Sequence, residues 1–462
     1  MAAVPVAVAL AGATTASAVL DGPAPGRGGV TRPAVPGAVQ VARADVADGA
    51  WYCAGATAST SGNASGSVSI TNASPRVVSG DIRVVTDNHS TGATAVTVPP
   101  WGRVVVAESS VATGGFAGAT VSLNSGLVAV EQITSGPLGA SVTPCTSRPS
   151  TAWYFASGDT RQGAALVLVM YNPFAEDALA DVVFATNQGQ VAPPDFQGLF
   201  VAAHSVVALD VAKNVIDVPL AAASVHVRSG RLVADELSEW AGAGHGVTLQ
   251  PGAPSPASSW YVPYGVTGPG LEERYRILNP TGRPTTATVA LALAAGQAEP
   301  MVLRIPPGSV ANVTTSLETR VPAGDVHAVT VTASPEPVVV ERSFNAYPPA
   351  TESGFSVVRA SPVAARRWLL GAGAGVGVAE AVTVFDPGRG PARIQLWMLT
   401  PAGPQPVAAV VAAPGTATQI VLPSAVSDGA PALMVTADRP VVAERDLSAQ
   451  SALTSSMGVP LP

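Results

Sequence analysis

The stretch Trp260-Tyr261-Val262-Pro263-Tyr264-Gly265 opens a segment whose beginning recurs at three other places in the chain. The other starts are Trp51-Tyr52-Cys53-Ala54-Gly55, Trp153-Tyr154-Phe155-Ala156-Ser157-Gly158 and Trp368-Leu369-Leu370-Gly371, at intervals of about 105 residues. Such a repeat has the length of a domain, because short solenoid repeats recur every ~20 to 50 residues. The sequence therefore predicts four consecutive units, and these starts decide the fold.

Three further landmarks recur in each unit. The first is a turn built on an asparagine or aspartate, whose side chain can cap its own backbone. These turns lie at Asn72, Asn172, Asn279 and Asp386. The second is a mid-unit turn before a strand, at Trp101, His204, Gly308 and Gly415. The third is an apolar run that ends on the glutamates Glu131, Glu236, Glu341 and Glu444.

Between the landmarks, apolar and polar residues alternate in short runs separated by Pro and Gly, which indicates half-buried strands. We expect an all-β protein of four immunoglobulin-like β-sandwich repeats, because each unit has room for six or seven strands. The alternative is a β-propeller-like closure, in which each unit would split into two four-stranded blades. The predicted boundaries are a signal peptide or membrane anchor at 1–20, a Pro/Gly-rich linker at 21–50, and repeats at 51–150, 151–258, 259–365 and 366–462.

The composition describes a globular chain without an affinity for polyanions. Hydrophobic residues make up 47% and charged residues 12%, and the net charge is −7. The only lysine is Lys213, and the arginines are scattered. Because binding to nucleic acid requires clustered cations, we predict no nucleic-acid partner.

The amino-terminal segment and the cysteines point to export. Residues 1–20 contain no charge and include Ala16-Ser17-Ala18, a small-residue pattern suited to signal peptidase. An uncleaved anchor that contacts the membrane is the alternative. Cys53 and Cys145 lie at the two ends of the first repeat, and in an exported protein they are predicted to form a disulfide.

No combination of residues signals catalysis, and we predict no catalytic, metal or cofactor site. The five histidines lack metal-ligand spacing, and the His-Glu-x-x-His and Gly-x-Ser-x-Gly motifs are missing. A glycosidase needs two carboxylates about 5 to 9 Å apart, whereas one closing glutamate occurs in each unit. We interpret these glutamates as charges at the solvent ends of buried strands, paired with Arg342 or Arg445 within a unit or across a junction.

The aromatic residues have two interpretations. The lead tryptophans Trp51, Trp153, Trp260 and Trp368 would either anchor each first strand in the core or stack on sugar rings, and their regular recurrence favours the anchor. Trp101, Trp240 and Trp397 have no counterparts in the other units. They are therefore the candidate contact aromatics for a specific ligand.

The Trp-Tyr starts, the Asn-Pro turns and the Val-Val-x-Glu-Arg endings together resemble an actinobacterial family of large secreted proteins built on a domain of unknown function, number 5719. The resemblance covers residues 51–462. It implies export, often with an amino-terminal membrane segment, and no established activity. The chain departs from the family pattern at Leu369, where Tyr is expected, and at Gln132 and Leu237, where Arg is expected.

These observations predict a non-catalytic, exported β-repeat protein, secreted or anchored outside the cytoplasm. It would act as a scaffold, spacer or adhesion module at the cell envelope, with a cell-wall polymer or an envelope protein as its partner. One alternative is an array of glycan- or peptidoglycan-binding modules, and another is an enzyme of unrecognised type.

Overall fold

The computed structural model describes residues 49–294, 296–373, 375–449 and 452–461. These residues form an all-β structure of small, mainly antiparallel sheets. Short helices occupy some connections: α1 (Ser424–Ser427) and the 3-10 helices Glu108–Ser110, Pro194–Phe196, Val211–Lys213 and Thr315–Leu317. The predicted signal peptide or anchor (1–20) lies outside the described residues, as does the predicted linker (21–50) except for its last two residues.

Every unit begins with a lead strand that carries the tryptophan and ends with a strand that pairs with the strand of the closing acid. In unit 4 a further short strand, Val459–Leu461, returns to pair with the lead strand. Unit 1 contains β1 (Gly49–Thr57), β2 (Ser65–Asn72), β3 (Val78–Thr86), β4 (Thr91–Val98), β5 (Arg103–Ala107), β6 (Phe116–Leu123), β7 (Val128–Gly136) and β8 (Gly139–Pro144). Unit 2 contains β9 (Ala152–Phe155), β10 (Ala164–Asn172), β11 (Ala178–Thr186), β12 (Gly189–Val191), β13 (Leu199–Val201), β14 (Ser205–Asp210), β15 (Ala221–Ser229), β16 (Val233–Trp240) and β17 (Gly246–Pro251).

The second half of the chain follows the same plan. Unit 3 contains β18 (Ser259–Val262), β19 (Leu271–Asn279), β20 (Thr285–Leu293), β21 (Gly296–Gln297), β22 (Met301–Ile305), β23 (Ser309–Thr314), β24 (Ala328–Ser334), β25 (Val339–Ala346) and β26 (Gly354–Arg359). Unit 4 contains β27 (Ala365–Leu370), β28 (Ala379–Phe385), β29 (Ala392–Thr400), β30 (Gly403–Ala412), β31 (Ala417–Val421), β32 (Leu433–Ala449), β33 (Ala452–Met457) and β34 (Val459–Leu461).

Each unit has two layers of strands, the lead sheet and the axial sheet, which enclose an apolar core. In unit 1 a single parallel pair, Thr57 with Ser65, joins the two layers into one eight-stranded sheet. The lead sheet holds the lead strand, and its order is β4-β3-β6-β1 in unit 1 and β12-β11-β15-β9 in unit 2. The axial sheet holds the last strand, with the orders β5-β2-β7-β8 and β14-β10-β16-β17. In unit 4 the long strand β32 belongs to both sheets, pairing with β27 and β29 in its first half and with β28 and β33 in its second.

This strand order differs from the predicted immunoglobulin-like order. An immunoglobulin sandwich pairs its first strand with its second and its seventh with its sixth. Here β1 pairs along its length with the sixth strand, β6, and the seventh strand, β7, pairs with β2. The alternating pattern identifies the buried face of each strand but not its partner, so the sequence predicted sandwiches with the wrong strand order.

The four units close into a propeller-like ring, so the closure predicted as the alternative is present, but the predicted split of each unit into two four-stranded blades is wrong. The last strands of the axial sheets meet at the centre, where β8 contacts β17 and β33, and β26 contacts the same two strands. Each blade of this ring is one whole unit with two sheets.

We call the contact between two neighbouring units a seam. At each seam the outer face of one lead sheet packs on the axial sheet of the next unit. At seam 1/2, Ala54 and Val85 pack against Val169 and Tyr171. At seam 4/1, Leu369 and its apolar neighbours pack against unit 1 at Ala73 and Ala129, which closes the ring. Seams 2/3 and 3/4 have apolar contacts of the same kind.

The first landmark turn is held by its asparagine. The Asn279 side chain donates from Nδ2 to the carbonyl of Arg283 at 2.7 Å, and its Oδ1 accepts the Thr281 N–H at 3.1 Å. The corresponding bonds recur at Asn72 and Asn172. Because one amide satisfies several main-chain groups at once, the turn is fixed locally by its sequence.

Candidate functional site

The closing acids cross the seams. In each unit one carboxylate oxygen accepts a main-chain N–H from the lead segment of the preceding unit, three or four residues after its tryptophan. The pairs are Glu131 with Ala372 (2.6 Å), Asp235 with Ala54 (3.0 Å), Glu341 with Ser157 (2.7 Å) and Glu444 with Tyr264 (3.3 Å). Since unit 1 binds unit 4 in this way, the same bond is made at all four seams.

These acids are buried, contrary to the prediction that they lie at solvent ends of strands. Glu131, Asp235, Glu341 and Glu444 are exposed by no more than 2%. The units pack into a ring, so a strand end that would face water in a separate sandwich faces its neighbour instead. Burial raises the pKa of each of the four carboxyl groups, for Glu444 to about 8.

In unit 2 the bridging acid is Asp235, and the predicted residue, Glu236, is one position too far. Asp235 lies opposite Pro251 in its sheet, as Glu131 lies opposite Pro144. Glu236 instead accepts a hydrogen bond from the Ser238 hydroxyl at 3.3 Å. A signal in the sequence marks the right position, because in every unit the bridging acid follows three consecutive apolar residues.

The lead tryptophans lie in the cores. Trp51, Trp153, Trp260 and Trp368 are exposed by 1%, 0%, 0% and 1%. The indole N–H groups of the last three donate to the carbonyls of Leu232, Val338 and Val441, at 3.0, 2.7 and 2.8 Å. Each of these carbonyls lies three residues before the bridging acid. The tryptophan therefore fixes the strand that carries the acid, and its rings are closed to any ligand.

Seam 3/4 adds a buried ion pair to the common bond. Arg342 donates to Glu444 at 2.7 Å, and Asp446 lies 4.0 Å from the same guanidinium nitrogen. The guanidinium also donates to the carbonyl of Tyr264. Despite this cation, burial raises the pKa of Asp446 to about 6. The arginine thus holds two carboxyl groups together at one seam.

Unit 1 has a neutral counterpart of this arrangement. Gln132 follows the bridging acid, as Arg342 does in unit 3, and its amide donates to Glu108 at 2.6 Å. Burial raises the pKa of Glu108 to about 7, against a smaller opposing effect of the Gln132 bond. A buried carboxyl group without a cation is therefore only about half ionised here near pH 7.

A histidine and a glutamate that the sequence did not connect form a second buried pair, in the core of unit 3. His327 Nε2 lies 2.9 Å from Glu273, and both side chains are fully buried. Tyr275 and Thr315 donate their hydroxyls to the same carboxylate at 2.8 and 2.5 Å. Although burial opposes the charge, Glu273 raises the pKa of His327. Because hydroxyl donors from the same unit satisfy the Glu273 carboxylate, we interpret the His327–Glu273 pair as a support of the fold.

A cleft of 310 Å³ opens at seam 2/3. One wall carries Trp240, at the end of β16, with Arg161, whose guanidinium lies 5.9 Å from the indole centroid. The opposite wall carries Glu272 and Arg274, which form an ion pair. At the base lies Arg276, which is nearly buried and donates across the seam to the carbonyls of Gly158 and Pro219.

The three candidate contact aromatics lie in three different places. Trp240 lines the cleft. Trp397 is partly buried and donates its indole N–H to the Thr436 hydroxyl at 2.9 Å. Trp101 packs against the apolar cluster of seam 4/1. It also has a counterpart after all, since it is the left-handed residue of the mid-unit turn (φ 52°), the position that His204, Gly308 and Gly415 hold in the other units.

The centre of the ring encloses a small cavity. A cavity of 40 Å³ lies among the last strands, with room for water but not for a larger solute.

Cys53 and Cys145 form the predicted disulfide, with Cα atoms 4.7 Å apart. Within the described ranges, no group of His, Cys, Asp and Glu could hold a metal ion. In that same part of the chain, no helix is long and apolar enough to cross a bilayer.

Comparisons with known proteins identify a family but no activity. The model of a family of unknown function (DUF5719) matches residues 119–367 and 241–456. No curated protein matches the sequence.

Three solved structures are similar to this chain at low sequence identity and low TM-score. Thermotoga maritima 1070 is 14% identical with a TM-score of 0.21, over 23% of this chain and 93% of its own. An α-L-rhamnosidase of Streptomyces avermitilis, complexed with L-rhamnose, is 8% identical with a TM-score of 0.16, over 72% of this chain and 44% of its own. A tetra-tandem repeat from the extending region of a large adhesion protein is 9% identical with a TM-score of 0.10, over 90% and 100%.

Proposed function

We propose that this chain, which belongs to the family of unknown function (DUF5719), is a non-catalytic scaffold or spacer at the cell envelope. The family supplies no activity, so the proposal rests on the ring itself. The observation that carries this proposal is the repeated bond from a buried carboxylate to a main-chain N–H across each seam. A unit fixed on both sides cannot swing on a linker. Surfaces on different units therefore stay at constant distances, as a scaffold requires.

The location belongs to the proposal too. A disulfide persists mainly in oxidising compartments, and the Cys53–Cys145 bond supports a position outside the cytoplasm. The uncharged amino-terminal segment predicted to direct export supports the same location. We propose that the ring is either secreted or held at the membrane by that segment.

The partner in this proposal is an envelope protein or a cell-wall polymer. The net charge of −7 opposes a polyanionic partner such as nucleic acid. Exposed apolar side chains on the outer edges, such as Phe200 and Leu317 at 61% and 80%, offer contact points on separate units.

The test expresses the full chain in its native host and installs photo-crosslinking residues at Phe200 and Leu317. We expect the protein in the envelope fraction, cysteines that resist thiol labelling without reductant, and crosslinks from each position to a defined envelope component. The Cys53→Ser/Cys145→Ser variant is the labelling control. A cytoplasmic protein with two reactive thiols would contradict the location, and release of sugars or peptides from cell-wall polymer by the purified chain would contradict the non-catalytic role.

A further inference from the structure

Seam 2/3 carries side chains that the equivalent positions of the other seams lack. The strand register aligns the residue opposite each bridging acid, which is Arg276 in unit 3. The equivalents in units 1, 2 and 4 are Ser69, Val169 and Thr383. Two residues earlier, Arg274 corresponds to Ser67, Val167 and Ala381. Both arginines are therefore additions to the common plan.

The tryptophan in this cleft is an addition as well. Trp240 follows the bridging acid of unit 2 by five residues, at the end of its strand. The residues at this position in units 1, 3 and 4 are Gly136, Ala346 and Ala449. Neither Trp240 nor the arginines are needed for ring closure, because the other three seams close without them.

Contacts within the protein orient the side chains of the cleft. The Trp240 indole N–H donates to the Ala243 carbonyl at 3.0 Å, which fixes the ring. Arg161 is held against the indole by Asp159, with its guanidinium 2.6 Å from the carboxylate. A ligand that binds here finds its partners already oriented, so little side-chain entropy is lost on binding.

The charges exclude strongly ionic ligands. The lining contains the cations Arg161, Arg274 and Arg276 and the anions Asp159, Glu239 and Glu272, which balance. A phosphate would meet the carboxylates, and a cationic peptide would meet the guanidinium groups. Neutral hydroxyl groups can use both, because they donate to carboxylates and accept from guanidinium forks.

We propose that the cleft of seam 2/3 binds a neutral saccharide. The partly exposed indole of Trp240 would contact the apolar C–H face of the sugar, and the paired charges would bind its hydroxyls. The 310 Å³ volume is at the lower end of ligand pockets, about 300–1,000 Å³, which suits one or two rings. This site goes beyond the scaffold role, which requires only the closed ring.

The test screens neutral monosaccharides and disaccharides against the full chain by saturation-transfer NMR and measures hits by calorimetry. We expect at least one neutral sugar to bind and Trp240→Ala to weaken it about tenfold, the upper range of an aromatic contact. Arg274→Met should weaken it similarly, by removing a hydroxyl partner. Trp397→Ala, which removes a partly buried tryptophan on unit 4, is the matched control and should leave the affinity unchanged.

Circular dichroism confirms that each variant is folded. The proposal is overturned if no neutral sugar binds the folded protein, if only acidic sugars bind, or if Trp240→Ala and Arg274→Met both leave the affinity unchanged. The scaffold role is judged separately, since envelope location and crosslinking do not depend on this cleft.

Discussion

Seams 3/4 and 1/2 use the same bond from carboxylate to main-chain N–H but surround it differently. At seam 3/4, Glu444 also pairs with Arg342, and Asp446 lies beside them. At seam 1/2, Asp235 meets the Ala54 N–H next to an apolar cluster. The difference separates two roles: the main-chain bond closes the ring at every seam, whereas Arg342 adds a buried ion pair across seam 3/4.

The largest effect is expected from removing that arginine. Arg342→Met leaves Glu444 and Asp446 buried without their cation, and breaking a buried pair in this way costs about 3–5 kcal/mol. Denaturant unfolding should show a loss of that size. The exposed Arg304 provides the matched control, since Arg304→Met should change the unfolding free energy by less than about 0.5 kcal/mol. Equal effects of the two variants would remove the distinction between the seams.

At seam 1/2 the acceptor itself should matter more than its charge. Asp235→Ala leaves the Ala54 N–H buried without a partner, which costs about 1–3 kcal/mol. Asp235→Asn keeps an acceptor oxygen and removes a carboxylate that burial disfavours, so it should cost clearly less. The two variants are compared by denaturant unfolding at pH 7. An asparagine variant as unstable as the alanine variant would show that the charge is essential.

The pH dependence tests a buried acid that lacks an arginine. The pKa of Glu108 is about 7 in the folded protein and about 4.5 when exposed, so between these values the folded state binds more protons. Its contribution is therefore most favourable below about pH 4.5 and declines as the pH rises to 7, by at most about 3 kcal/mol. Glu108→Gln should remove this decline.

The measurement is the difference in unfolding free energy between the natural chain and Glu108→Gln at pH 5 and pH 8. We expect the difference to shift in favour of the glutamine variant at pH 8. A difference that is the same at both values would show that Glu108 titrates normally.

The smallest effect is expected at the mid-unit turn of unit 2, which takes no part in the bonds of seams 1/2 and 3/4. His204 is exposed and holds a left-handed backbone (φ 50°), where units 3 and 4 have glycine. Replacing it by glycine should relieve strain and raise stability by up to about 1 kcal/mol. Thermal unfolding measures the change, with Ser205→Gly as the control at the next position. A lower melting temperature for His204→Gly would contradict this account of the turn.

The local features of the fold were predictable because nearby residues determine them. Asn279 builds its own turn, and the recurrence of Trp260 at a first strand marks it as a core residue. The sequence did not favour the ring over separate sandwiches, because the contacts that close the ring join residues such as Glu131 and Ala372, which are 241 positions apart. Periodicity in the sequence does not encode such partners.

The candidate site was predictable only in part. Trp240 stood out because no other unit repeats it, but its neighbours Arg161 and Arg274 come from two different units and share no motif. The bridging role of Asp235 was missed because the other three units have glutamate at this landmark, and the neighbouring Glu236 is also a glutamate. The family pattern expects an arginine directly after the bridging acid, where unit 3 has Arg342. Because the bridging acid of unit 2 is Asp235, the residue that departs from this pattern is Glu236 and not Leu237.

Closure of the ring is the central claim, and small-angle X-ray scattering of a fragment spanning residues 49–461, which contain the four units, tests it most directly. A compact chain of this length has a radius of gyration of about 22 Å, which is the value predicted for the closed ring. A value of roughly 40 Å, as for four separate compact units in a row, would contradict it.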